Sequence, residues 1–152
     1  MNEVADLITF LYLRLKNDAA LAALVQPDPE GDGPGVYEGA APEGAEYPFV
    51  VFSVLVSPDI NGNGALRVAT RPLVRIYAVG QTESLVSLGP LANRIDALFG
   101  DQDNQARGVQ GGLQVAGSHR ERPFAPPPEA AEGGVIYRRL GGEYRLFVYA
   151  AP

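Results

Sequence analysis

The chain has 152 residues, 46% of them apolar and 20% charged, with a net charge of −6; that is enough for one domain with its own core and too acidic for general nucleic-acid binding. It holds no cysteine, which excludes disulfides, thiolate metal sites and cysteine nucleophiles. It has no apolar run of about 18 residues, so no membrane-spanning helix is expected, and Asn2, Glu3 and Asp6 stand where a signal peptide would be basic.

Val4, Leu7, Ile8, Leu11 and Leu15 recur at helical spacing behind Asn2 as N-cap, with acids in the first turn, and predict an N-terminal helix. Asn17-Asp18 predicts the cap of a second short helical turn over 19–25, where Leu21, Leu24 and Val25 are apolar. Residues 26–35 are rich in Pro, Gly and Asp and read as a loop. Val36-Tyr37-Glu38 reads as a short extended piece, and 39–46 as another polar loop.

The densest strand signal comes next. Residues 47–56 and 71–79 are rich in β-branched and aromatic residues and are bounded by turn residues, and they predict the two long strands of an antiparallel hairpin. The first is apolar on both sides, with Phe49, Val51 and Leu55 on one and Val50, Phe52, Val54 and Val56 on the other. An antiparallel sheet in a small domain usually wets one face. This strand therefore needs two covers, the chain's own helices and, as the expectation for the second, a neighbouring subunit. The hairpin tip over 58–64 contains Asn61-Gly62 and Asn63-Gly64, which supply the positive φ of tight turns.

Thr82 predicts the cap of a further helix with Glu83 in its first turn and Leu85, Leu88, Leu91, Ile95, Leu98 and Phe99 along one face. Gly89-Pro90 predicts a kink or a late start, and Gly100 a stop. Residues 101–112 read as a polar loop, 113–122 as a strand with weak alternation, and 123–134, with Pro126-Pro127-Pro128, as a rigid extended excursion. Val135–Leu140 and Glu143–Ala150 read as strands on either side of Gly141-Gly142. In the last, Leu146, Val148 and Ala150 share one face and Arg145, Phe147 and Tyr149 the other.

Helix, strand pair, helix, strand pair is the order of an α+β fold. We expect a single domain over 1–152, a mostly antiparallel sheet of four to five strands with helices on one face, and a long projecting hairpin and loops. Val51, Val54, Val74, Ile76, Leu91, Ile95, Leu98 and Val148 are the expected core. The opposite face would carry Arg75, Tyr77, Arg145, Phe147 and Tyr149, a mixture of aromatics and arginine that suits a protein interface and also an ordinary half-exposed sheet. Charge is uneven: residues 1–64 hold ten acids against two bases, and 65–152 eight against ten. The two halves could meet between neighbouring copies, or the segregation could be chance.

Signs of catalysis are few. His119 is the sole histidine, and no serine sits in a Gly-x-Ser-x-Gly elbow, so a nucleophile relay has no parts. Residues 59–64 match the first half of a calcium loop, but the twelfth position, which should be a bidentate glutamate, is Thr70. Residues 31–35 lack the lysine and Ser/Thr of a phosphate-binding loop. No cofactor is expected. A metal-dependent hydrolase using Asp59, Asp101, Asp103 and His119 is the one enzymatic alternative these residues leave.

The order of the segments carries a resemblance. A helix ends in Leu15-Lys16-Asn17-Asp18-Ala19-Ala20-Leu21; Val36-Tyr37 follows; 47–52 enter a strand; 71–78 form the next; 91–98 lie on a helix; and Tyr144-Arg145-Leu146-Phe147-Val148-Tyr149 closes the chain. This order resembles the tail terminator (tail completion) proteins of long-tailed bacteriophages over nearly the whole chain. The resemblance implies a non-enzymatic virion protein, made in the host cytoplasm, that forms a homo-oligomeric ring, usually a hexamer, on the end of the tail tube. Its partners would be itself, the tail tube protein and a head-side connector or stopper protein. DNA would pass through the lumen without specific binding, and no membrane is involved. Candidate lumen-lining acids are Asp28, Glu30, Asp32, Glu43 and Glu46. Candidate subunit or partner contacts are Asp59, Asn61, Asn63, Arg67, Arg71, Arg75, Tyr77, Phe147 and Tyr149. Another neck or tail ring element, a connector adaptor or a tube protein, is the alternative.

Overall fold

The computed structural model describes residues 3–62, 67–82, 84–100 and 107–151. Three α-helices, α1 (Glu3–Lys16), α2 (Ala19–Ala22) and α3 (Gly89–Phe99), accompany nine strands: β1 (Val36–Glu38), β2 (Phe49–Val56), β3 (Asp59–Asn61), β4 (Arg67–Thr70), β5 (Leu73–Gly80), β6 (Gly108–Gln110), β7 (Leu113–Phe124), β8 (Glu129–Ala130) and β9 (Ile136–Ala150). They join in one sheet in the order β1-β2-β5-β9-β4-β3, with β7 and β8 also paired to β9 and β6 to β7.

The fold is α+β as expected, but the sheet is larger than four to five strands and it is mixed. β1 runs parallel to β2, Val36 opposite Val50. A three-residue extended piece between two loops gives no sign of its direction, and residues 39–48 bring the chain back for the parallel pairing. The hairpin of β2 and β5 is antiparallel from Phe49↔Val79 to Val54↔Val74, with a bulge at Leu55 before Val56↔Leu73.

The largest departure is at Gly141-Gly142. These glycines do not turn the chain. They lie inside a single fifteen-residue strand, β9, which pairs with β5 along one edge and β7 along the other. A Cβ on Gly141 would collide with the Ile76 carbonyl oxygen and the Tyr77 backbone, so the glycine is there for close approach between strands. β7 also runs on through Pro123 to Phe124, two residues into the stretch expected to be an excursion. Pro123 is tolerated because β7 beyond Val115 has no further partner on its outer edge among the described residues.

The main core lies between the helices and one sheet face. Leu7, Phe10, Leu11 and Leu15 of α1 and Leu91, Ile95, Leu98 and Phe99 of α3 pack on Val50, Phe52, Val74, Ile76, Tyr144, Leu146 and Val148. All the expected core residues are buried except Val54, which is half-buried at its margin. The Asp18 cap is made: its carboxylate accepts from the Leu21 amide at 2.9 Å. α2 is shorter than expected, ending at Ala22. Gly89-Pro90 gives a late start: a 3₁₀ turn over Leu85–Leu88, capped by Ser84 rather than Thr82, precedes α3, because proline fits the first helical turn, where no amide hydrogen is needed. No helix among the described residues is long and apolar enough to cross a membrane.

Candidate interaction surface

The second face of the sheet, away from the helices, divides into three zones, each set by strand alternation. At one end Phe49, Val51 and Val79 form a small separate core. Its cover is the chain's own loop: Ala41, Ala45 and Tyr47 pack on it together with Tyr37 and Tyr77. This corrects the expectation that a neighbouring subunit covers the second side of β2 here. Tyr47 stacks on Phe49 at 5.0 Å and on Tyr137 at 5.4 Å. An open cleft of about 470 Å³ remains between this loop and Tyr77, Glu129 and Arg139.

The middle zone is ionic. Glu143 is 3% exposed and accepts from Arg75 at 3.0 Å and Arg122 at 2.8 Å. Burial works to raise its pKa, but the hydrogen bonds and charges of Arg122 and Arg75 prevail and hold it below the ordinary carboxylate value. The Arg75 guanidinium also lies over the Phe124 ring at 4.4 Å, and Tyr77 packs on Phe124 at 5.1 Å. Arg145 pairs with Glu121 at 2.7 Å and donates to the Arg71 carbonyl at 2.9 Å. Of the candidate contact residues, Arg75 and Tyr77 therefore have partners within the chain.

The third zone is open. Phe147 and Tyr149 are 37% and 40% exposed, and Val56 is 53% exposed. Phe147 stands opposite Gly117, which offers no side chain, and Tyr149 opposite Gln114. The Arg71 guanidinium covers one side of the Phe147 ring at 4.8 Å. Asp59 and Asn61 sit beside this zone on β3, paired to Thr70 and Arg67 of β4. The tip is thus a small hairpin tied to the sheet through Thr70↔Val148, with Thr70 buried. Asn63 lies outside the described residues.

Sequence reasoning missed Glu143. Its alternation with Arg145, Phe147 and Tyr149 puts it on the same face, and a lone acid among arginines on one face was the available signal. The acids of the hydrolase alternative are not assembled: Asp59 on β3 and His119 on β7 are on opposite sides of β9, and Asp101 and Asp103 lie outside the described residues. Among the described residues no group of three or more His, Asp or Glu could hold a metal.

No protein-family model matches the chain, and no curated protein does. A solved structure does: one chain of the virion of a native gene transfer agent particle superposes with a TM-score of 0.70, covering 98% of this chain and 99% of that one, at 21% identity. The two chains share a fold. The shared fold extends over both chains almost from end to end, so the long excursion between β7 and β9 and the β3–β4 hairpin fall within the matched length.

Proposed function

We propose that this protein is a structural subunit of a virion, and more closely that it forms a ring on the end of a tail tube. The ring would stop tube growth and present the joining surface for a head-side connector or stopper protein. The observation that carries this reading is the end-to-end likeness in fold to a chain of a gene transfer agent virion. The order of segments that resembles tail terminator proteins supports it independently. The described residues are strand-rich, with three helices of which one has only four residues, which favours a terminator or tube-type ring element over a helix-rich connector adaptor. Its site of action would be the virion, its subunits made in the host cytoplasm, and its ring a hexamer.

Light scattering and negative-stain imaging across a concentration series test the reading, alone and with purified tail tubes. Closed rings, in solution or on tube ends, are the expected result. A strict monomer that also fails to cap tubes would overturn it. Decoration along the tube wall instead of at its end would favour a different tail element.

A further inference from the structure

We infer that the open corner of the sheet around Phe147 and Tyr149 is the seat for the acidic β1 side of a second copy of this chain, in a head-to-tail contact. The inference rests on the ring reading for its setting, and it adds which two surfaces meet.

The first observation is the corner itself. Phe147 and Tyr149 are exposed on the same side of β9, with glycine opposite Phe147 and Arg71 lying over its ring. Aromatic residues with arginine are the enriched composition of an interface centre. Among the described residues Arg71 makes no ion pair with a carboxylate, and neither does exposed Arg107, which lines a shallow cleft with Tyr149.

The second observation is where unpaired negative charge lies. Among the described residues of the second half, every acid but exposed Glu132 holds an arginine: Asp96 with Arg120, Glu121 with Arg145, Glu129 with Arg139, and Glu143 with Arg75 and Arg122. Glu30, Asp32, Glu38, Glu43 and Glu46 are exposed and pair with no base among the described residues. The segregation seen in the sequence is thus a segregation of unmet charge on the surface.

The third observation is placement. The acids flank β1, at one end of the sheet order, while the corner lies on the last residues of β9, beside β4 and β3 at the other end. Two complementary surfaces at different ends of one molecule cannot satisfy each other within a chain. They are satisfied by head-to-tail repetition, which closes into a ring when the rotation allows. Opposite potentials also steer the encounter and fix its register.

Charge reversal tests this directly. R71E/R107E and E43R/E46R should each weaken self-association at least tenfold, read by sedimentation velocity at protein concentrations where the wild type assembles. Mixed in equal amounts, the two variants should assemble again, because each reversed surface then meets its reversed complement. All changes are at exposed positions, so melting temperatures should match the wild type and a folding defect would be recognised. The natural absence of cysteine permits a second readout. Glu43→Cys and Tyr149→Cys proteins should form a disulfide-linked dimer only when mixed, and the E43C/Y149C double variant should form covalent species longer than a dimer, whereas a two-fold contact would stop that double variant at the dimer. If the reversed variants assemble like the wild type, the contact is wrong and the ring reading stands. If they assemble normally but no longer cap tail tubes, the corner receives another protein and not a second copy. If the wild type neither assembles nor caps tubes, both readings fall.

Discussion

Arg94 and Asp18, 76 positions apart, form a two-pronged ion pair, Nε to Oδ2 at 2.7 Å and Nη2 to Oδ1 at 2.6 Å. The same carboxylate caps α2 through the Leu21 amide, so one side chain joins the start of α2 to the middle of α3. The hydrogen bond from Arg94 lowers the Asp18 pKa; burial opposes it, and the Leu21 amide and the charges of Arg94 and Arg14 add to the lowering.

This gives a pH prediction. A carboxylate whose pKa is depressed on folding contributes stability that is present above its unfolded value, about 3.9, and is lost as pH falls through the folded one. Asp18→Asn keeps a good cap and removes the charge. It should cost about 1–2 kcal/mol at pH 7, and the gap to the wild type should narrow as pH drops below about 4. Urea denaturation at pH 7 and pH 3 measures both; a gap that is the same at the two values would show that the charge does not matter.

Gly141 should be the least replaceable glycine. Gly141→Val forces a side chain into the β5 backbone and should cost about 3 kcal/mol or more, as strain and lost strand pairing add. Gly89 is the control. It stands in the first turn of α3 with φ −54°, and a methyl group there would meet nothing within 4 Å apart from its chain neighbours. Gly89→Ala trades lost glycine freedom against the crowding of a helical residue before Pro90 and should change stability by no more than about 1 kcal/mol. Thermal melts of the pair decide; equal effects would contradict the close approach at Gly141.

The β3–β4 tip is expected to serve assembly and not folding. Thr70 is buried and bridged to Val148, so it must be kept. Replacing residues 61–68 by Asn-Gly joins Ile60 to Ala69, which are already cross-strand partners, through a two-residue turn. The melting temperature should hold while ring formation or tube capping weakens. A fall in stability with assembly intact would make the tip purely structural.

Duplex DNA should not bind measurably at physiological salt. The chain carries −6, and Arg75, Arg94, Arg120, Arg122, Arg139 and Arg145, half of its twelve basic residues, are engaged by carboxylates, which reduces the cations that could displace counterions from phosphate. Fluorescence anisotropy with a labelled duplex tests it. Micromolar or tighter, steeply salt-dependent binding would sink the passive-conduit reading and favour a DNA-gripping connector.

The elements legible in the sequence were those whose signal is local. The α1 stripe, the Asp18 cap, the start at Pro90, the stop at Gly100 and the β2–β5 hairpin follow from spacing, caps and composition within a dozen residues. What stayed hidden depends on distant partners. β1 has the right composition for a strand, but its parallel pairing is decided by β2. Gly141-Gly142 has the composition of a turn, and only the closeness of Ile76 and Tyr77 shows why glycine is needed. The apolar outer side of β2 showed that a cover was required without showing that residues 41–47 provide it. On the candidate surface, the face shared by Arg145, Phe147 and Tyr149 was readable from alternation, while the engagement of Arg75 and Tyr77 by Glu143 and Phe124 needed the register of three strands.

β9 pairs with β4, β5, β7 and β8, and all four leave the ribosome before it does. Until residues 136–150 emerge, β5 has only β2 beside it, and β7 has only β6. The sheet therefore closes late, through contacts far apart in sequence, which is a slow kind of folding. A nascent chain that has not yet released residues 136–150 lacks Phe147 and Tyr149. Under the proposed contact, neighbouring chains on one message could not join through that corner until β9 has emerged.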